Sequence, residues 1–405
     1  MSNKEFKMPT FSIDTVDKVP GIKRMYEIAW RIQDSLMQWG GPGIGKSQAV
    51  QQWNAEKVAE YNKRIAAGEN VKPWNPVVCD VRLSMKEPVD MIGVPTIERP
   101  ESQKIETTDE DGKPVTVWAT PSMWPKGKKF SGGVIHLDEM NQGQAAILNA
   151  AFQLIQDRQL GDYKVPDGYL IIASSNPSAF NNTVTELSVP LSNRFSHFNI
   201  APNFESWLNY RMNNGGNLDV MTFLKTQGEG MLYDQETMKA RIGSDATELY
   251  TDLVITPRSW EVVERVLKLD SNEFSIDEKQ RYCTGRLGLA LTAKFFNYIK
   301  EKSKYQDWHE ILVDGKDFKS ESVDQFWAVQ LACMQSMINE EDDEKCRKYV
   351  LNFLKATRKL KNPQNKVINM AALARADRII SNSKVFKPLD DCPDLLSLAT
   401  AAIKN

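Results

Sequence analysis

The chain has 405 residues, a formal net charge of −2 and five cysteines. That length exceeds one ordinary core, so two or three domains are expected, and the near-neutral balance excludes a global bias toward nucleic acid or anionic membranes, though not a local basic patch. Cys79, Cys283, Cys333, Cys346 and Cys392 are scattered with no Cys-x-x-Cys pair, and there are three histidines, which speaks against a disulfide scaffold or structural zinc and for a reducing, cytoplasmic setting.

The start, Met1-Ser2-Asn3-Lys4-Glu5, lacks the apolar stretch of a signal peptide. No apolar run is long enough to span a membrane. Residues 1–34 read as a loop followed by an amphipathic helix from about Ile22 to Gln33. Ser35-Leu36-Met37-Gln38-Trp39 reads as a short buried strand. It runs into Gly40-Gly41-Pro42-Gly43-Ile44-Gly45-Lys46-Ser47, which fits the phosphate-loop pattern of Gly, four residues, Gly-Lys-Ser/Thr. Ser47 to Ile65 reads as a helix, with Val50, Trp53, Val58, Tyr61 and Ile65 near helical spacing and Gly68 as a stop. Strand, loop and helix in this order make a phosphate cradle. Glycines let several N–H groups converge, and the helix N-terminus adds partial positive charge. Gly40 through Ser47, with Gln48 following, are the nucleotide-binding candidates. Lys46 is placed to reach the outer phosphates and the Ser47 hydroxyl to hold Mg2+.

Val77–Val81 is a second buried-strand candidate. Gly93 to Pro125 is rich in Pro, Thr and Glu. Within it Lys104-Ile105-Glu106-Thr107 and Val115-Thr116-Val117-Trp118 alternate around Asp109-Glu110-Asp111-Gly112-Lys113, the signature of a hairpin with a long turn. Gly133-Val134-Ile135-His136-Leu137 is a third strand ending in Asp138-Glu139. An acid at the carboxyl end of a buried strand points into the crevice where α/β sheets bind ligands. Asp138 is the candidate for the metal that Ser47 also contacts, and Glu139 for polarising an attacking water. His136, inside the apolar strand, reads as a satisfied core residue. Ala145 to Gln156 is a helix. Leu170-Ile171-Ile172-Ala173 is a fourth strand. After it, Asn176 is either a partner for the γ-phosphate or the attacking water, or part of an ordinary Asn-Pro turn. Arg194 precedes a fifth strand beginning at Phe198-Asn199-Ile200. Arg258 falls in a first helical turn behind Pro257. Alone, each arginine reads as a surface residue; their order after the phosphate loop makes them candidates for the γ-phosphate.

Strands alternating with helices imply a parallel sheet covered on both faces. From about Glu205 helices take over, with candidates at Pro257–Leu269, Gly285–Lys302, Val323–Met337 and Glu344–Lys359. The acidic run Glu340 to Glu344, followed by Lys345, Arg347 and Lys348, reads as a solvated helix start. Trp327, Leu331, Met334 and Ile338 sit near helical spacing, more in keeping with a core stripe than a docking site.

These residues resemble the AAA+ ATPases of the MoxR type, in the clade with an insert in the second core helix. More narrowly, they resemble the branch associated with von Willebrand factor A-domain proteins. The matching stretches are Val89-Asp90-Met91-Ile92-Gly93-Val94-Pro95, Val117 to Pro125, Leu137-Asp138-Glu139-Met140-Asn141-Gln142, Leu160 to Gly168, Ser192-Asn193-Arg194-Phe195 and Pro257-Arg258-Ser259-Trp260. The resemblance covers about residues 36–260. It implies Walker A at Lys46 and Ser47, Walker B at Asp138 and Glu139, sensor 1 at Asn176, an arginine finger at Arg194 and sensor 2 at Arg258. It further implies a P-loop AAA+ core over residues 1–201 with a five-stranded parallel sheet and an insert at about 93–121. An all-α lid over 202–304 and extra C-terminal helices over 305–405 would follow. The family forms rings, usually hexamers, with ATP between subunits and Arg194 acting in trans. Adenine is expected near Val19-Pro20-Gly21. The insert and a second hairpin near Gly161–Asp167 are expected to face the pore or the client. Gln142 departs from the family, where many relatives carry arginine. Residues past about 305 match no motif.

The resemblance implies an ATP-hydrolysing chaperone that remodels a protein client, with a von Willebrand-type domain as the expected client. A nucleic-acid motor or loader of phage, restriction or replication type is the alternative. Glu98, Glu101, Glu106, Asp109, Glu110 and Asp111 argue against it, and Lys126, Lys128 and Lys129 for it. A nucleotide-dependent scaffold with little turnover is the third reading, and Glu139 weighs against that, since a scaffold has no need of a water-activating acid.

Overall fold

The computed structural model describes residues 8–13, 21–96, 117–177, 187–233, 255–301, 305–319, 322–382 and 384–385. They divide into two compact units, one ending at Ala201 and the other beginning at Pro202.

The first unit is an α/β layer structure around one parallel sheet. Its strands are β1 (Thr10–Phe11), β2 (Leu36–Trp39), β3 (Cys79–Arg82), β6 (Gly133–Asp138), β9 (Tyr169–Ser175) and β10 (Ser196–Ile200), in the spatial order β1-β10-β2-β9-β6-β3. Every neighbouring pair is parallel. The sheet thus has six strands where the sequence predicts five. The sixth, β1, lies in a stretch the sequence assigns to a loop. Two residues carry no periodicity of their own. β1 is fixed instead by pairing Thr10 with Asn199 and Phe11 with Ile200, and by Phe11 packing edge-to-face on Phe198 at 5.3 Å. The second strand starts at Cys79 rather than Val77, which is left exposed.

Helices α1 (Lys23–Ile32), α2 (Lys46–Ala66), α3 (Pro88–Ile92), α4 (Ala145–Asp157) and α5 (Val189–Ser192) complete the unit. On α4, Ile147 and Leu154 share a core with Ile135 and Leu137 of β6 and Ile171 of β9, all fully buried. The insert closes at its base through an antiparallel pair, β4 (Val94–Thr96) with β5 (Val117–Ala119). The predicted hairpin strands lie mostly outside the described residues, as do Val19 and Pro20. A second hairpin, β7 (Gln159–Leu160) with β8 (Tyr163–Lys164), brackets Gly161.

The second unit is helical throughout its described residues. It contains α6 (Phe204–Asn213), α7 (Leu218–Gln227), α8 (Pro257–Leu267), α9 (Ile276–Leu287), α10 (Leu289–Glu301), α11 (Trp308–Leu312), α12 (Val323–Asn339), α13 (Asp343–Lys359), α14 (Pro363–Ala374) and α15 (Asp377–Ile380). The single helix predicted over Gly285–Lys302 is two. Gly288, at φ +77°, ends α9 in a backbone state that glycine alone adopts cheaply, and α10 starts beyond it. One hydrophobic core runs through the described residues of the unit, from Phe204 to Val385. Leu331, Met334 and Ile338 lie in it, as the stripe on α12 suggests, with Trp327 half-buried.

Gln330, on the same helix, is fully buried, and neither atom of its amide has a hydrogen-bond partner among the described residues. A buried polar group left unpaired costs about 1–3 kcal/mol. Gln330→Met keeps length and removes both polar atoms, so it is expected to raise the thermal midpoint of the protein by a few degrees in a melting curve. A lowered midpoint would show that the amide is satisfied.

Candidate functional site

The phosphate loop emerges from β2 and turns into α2. Gly45 is the residue before the helix. It stands at φ +98°, a backbone state that favours glycine, and a Cβ there would lie 2.6 Å from Ile13 Cδ1, at the end of a side chain that would have to shift. The turn sets the positive end of the α2 dipole over the loop. Lys46 opens the helix. Its side chain is buried and folds back, its ammonium donating to Gly40 O at 2.8 Å, Gly41 O at 3.0 Å and Asn176 Oδ1 at 2.8 Å.

Ser47 Oγ donates to Asp138 Oδ2 at 2.9 Å, while Asp138 Oδ1 accepts the backbone N–H of Glu139 at 2.9 Å. Residues 91 positions apart thus meet in a hydrogen bond. Lys46 and Asn176, 130 apart, do the same. Both contacts lie at the carboxyl ends of β2, β6 and β9, three adjacent strands. This is the crevice in which open α/β sheets bind ligands. The Ser47 hydroxyl and Asp138 carboxylate form an all-oxygen donor pair. That suits Mg2+, which takes one or two carboxylates and fills its remaining positions with phosphate and water oxygens.

Glu139 has left-handed backbone, φ +54°, and its carboxylate accepts a hydrogen bond from Ser84 Oγ. A non-glycine residue in that conformation is strained, and such strain concentrates at working sites. Asn141 donates its amide to the carbonyl of Asn176 at 2.6 Å, tying the loop after β6 to the loop after β9.

Arg194 is exposed, and no acidic side chain among the described residues pairs with it. Its backbone is held firmly. Arg194 N–H donates to Leu191 O at 3.1 Å, and Phe195 beside it is buried. His197 accepts from the Trp39 indole at 2.9 Å and donates to Ser192 O at 2.8 Å, fastening this turn to the end of β2. Arg258 belongs to the second unit, exposed on the first turn of α8 behind Pro257. The first unit thus gathers Lys46, Ser47, Asp138 and Asn176 into one cluster.

Beneath this cluster lies a polar row that the sequence marks only as polar residues in buried strands. His136 is fully buried and satisfied on both nitrogens, Nδ1 with Asp80 Oδ1 at 2.8 Å and Nε2 with Ser174 Oγ at 2.6 Å. The hydrogen bond from His136 holds the Asp80 carboxyl below the usual carboxylate range. Gln38 donates to Ser174 Oγ at 2.5 Å and accepts from the Tyr26 hydroxyl at 2.5 Å. Burial pushes the Tyr26 hydroxyl well above the usual phenol range, so it stays a donor.

No protein-family model matches the chain, and no curated protein does. Among solved structures, NtrX from Brucella abortus in complex with ADP is similar at 13% identity with a TM-score of 0.33, over 93% of this chain and 67% of that one. The same protein in complex with ATP gives 14% identity, a TM-score of 0.33 and the same coverage. Likeness this slight carries no assignment; the chain's own residues do. No helix among the described residues is long and apolar enough to cross a membrane.

Proposed function

We propose that this chain is an ATPase of the AAA+ class, similar to the MoxR type, which hydrolyses ATP and uses the cycle to remodel a protein client. The observation that carries the reading is the convergence of Lys46, Ser47, Asp138 and Asn176, from three separate loops, on the mouth of one phosphate loop. Among the described residues the Lys46 ammonium donates to three neutral oxygens. An anionic phosphate outcompetes such partners for an ammonium, because it adds the attraction between opposite full charges in a partly buried setting.

In this reading the loop N–H groups and Lys46 bind the phosphates, with Gly40 to Gln48 as the cradle. Ser47 and Asp138 hold Mg2+, which supplies charge neutralisation at the β- and γ-phosphates. Glu139 takes the proton of the attacking water, Asn176 orients that water or the γ-phosphate, and Ser84 orients Glu139. Arg258 links the helical unit to the nucleotide state. Hydrolysis can drive a client only if the ATP and ADP states contact it differently. The direct test is phosphate release from ATP and Mg2+ by the purified chain. Absence of both release and ATP binding refutes the reading.

Arg194 is assigned to a neighbouring protomer's nucleotide in a homo-oligomeric ring, on the ground that its turn is anchored while its side chain points outward. Arginines in this role accelerate hydrolysis by about 10³–10⁵. Arg194→Ala is therefore expected to keep ATP affinity and lose turnover by at least the lower figure. Mixed with Lys46→Ala protein it should recover part of the activity, since some interfaces then hold one intact nucleotide site and one intact arginine. Mixed rings with no recovery would remove the trans role.

A further inference from the structure

The buried row under the phosphate loop has a regularity of its own. Gln38 is two residues before Gly40, His136 two before Asp138, and Ser174 two before Asn176. Side chains two apart on a strand share a face. His136 therefore shares a face of β6 with Asp138, and the row runs across β2, β9, β6 and β3 just short of the loops that carry the site. Register brings its members together: Gln38 pairs with Ser174 and Asp80 with His136.

The hydrogen-bond directions, assigned from the partners, run one way. Tyr26 O–H donates to Gln38 Oε1, Gln38 Nε2–H to Ser174 Oγ, Ser174 O–H to His136 Nε2 and His136 Nδ1–H to Asp80 Oδ1. A second hydrogen of Gln38 Nε2 reaches Lys46 O at 3.4 Å, in the first turn of α2. Tyr26, Gln38, Ser174 and His136 are all fully buried. A buried polar chain is costly if any member is unpaired, so a complete one fixes its members tightly in place.

We propose that Asp80, His136, Ser174, Gln38 and Tyr26 form a positioning layer that holds the phosphate loop, Asp138 and Asn176 in mutual register for hydrolysis. None of the five touches nucleotide; Gln38, Ser174 and His136 act through Gly40, Asn176 and Asp138, two positions on, and Asp80 and Tyr26 act by fixing His136 and Gln38. The proposal rests on the ATPase reading. Misplacement of about 1 Å costs on the order of 100-fold in rate, whereas the loop's own N–H groups and Lys46 still bind phosphate. The layer therefore sets kcat, not nucleotide affinity.

The test uses the full chain with Ser174→Ala, Asp80→Asn and the double variant. Asp80 is at the sheet edge, and Ser174→Ala removes one oxygen, so the fold is expected to survive both. Each single variant should lower kcat about tenfold or more, with ATP affinity, measured in a Glu139→Gln background, within about twofold. The double variant should be little worse than either single, because both cuts break one chain. Nitrogen NMR reads the linkage independently of ATP, since there are three imidazoles to assign, His136, His197 and His309. His136 should carry its proton on Nδ1, and Asp80→Asn should shift it toward Nε2. Unchanged kcat, independent effects of the two cuts, parallel loss of affinity and rate, or an Nε2–H tautomer in the wild type would each overturn the proposal. A wild type with the Nδ1–H tautomer but no hydrolysis would instead refute the ATPase reading on which it rests, with the linkage intact.

Discussion

Lys46→Ala is expected to weaken ATP binding by about 100-fold or more, the equivalent of about 3 kcal/mol, in a calorimetric titration. The ammonium makes three short hydrogen bonds at the centre of the loop. Its removal takes away the loop's one side-chain positive charge, Lys46 being the only charged residue among Gly40 to Gln48. It also leaves the Asn176 amide without the donor that fixes its orientation. Both losses fall on nucleotide binding before any chemistry occurs, so turnover disappears with affinity. Unchanged affinity would refute the loop assignment, because no other change to one side chain removes so much of the phosphate's electrostatic partner.

Glu139→Gln is expected to show the opposite split. A positioned general base contributes about 10²–10⁴ to the rate. Its amide isostere can still accept the Ser84 hydrogen bond but cannot take a proton. ATP affinity should change by less than about tenfold while phosphate release falls by at least about 100-fold. Near-normal release would remove Glu139 as the base. The stalled protein is also the reagent for finding the client. Tagged Glu139→Gln with ATP, recovered from its native cell with and without nuclease, should bring down a nuclease-resistant protein that Lys46→Ala does not. Nucleic acid, or partners lost on nuclease treatment, would move the assignment to a motor or loader.

What the sequence made legible was local. Gly40 to Ser47 are contiguous, and Asp138, Glu139 and Asn176 each end an apolar run, so their placement needed only the strand direction. The layer beneath was written in the same strands but depends on their spatial order. Gln38 and Ser174 meet because β2 lies beside β9, and a single sequence does not fix which strands are neighbours. The missed helices have different causes. On α7 five consecutive residues from Val220 to Leu224 are buried, so no polar face gives it a stripe. α9 did carry its start signal, the capping box of Ser275 and Glu278. Its buried positions, however, are only Lys279, Cys283 and Leu287, too sparse and too polar to reveal the period.

The undivided helical core decides how the last hundred residues can be studied. Met334, Phe353 and Leu373 pack in the same cluster as Phe223 and Trp260. A chain cut near residue 305 would bare those faces to water, and its loss of activity would report a collapsed hydrophobic interior rather than a missing partner. Proteolytic trimming should behave likewise, giving fragments that precipitate or stay associated after cleavage. Charge reversals at exposed positions such as Lys348 and Lys355 leave that interior untouched. They are the changes that can separate what this region recognises from what it holds up.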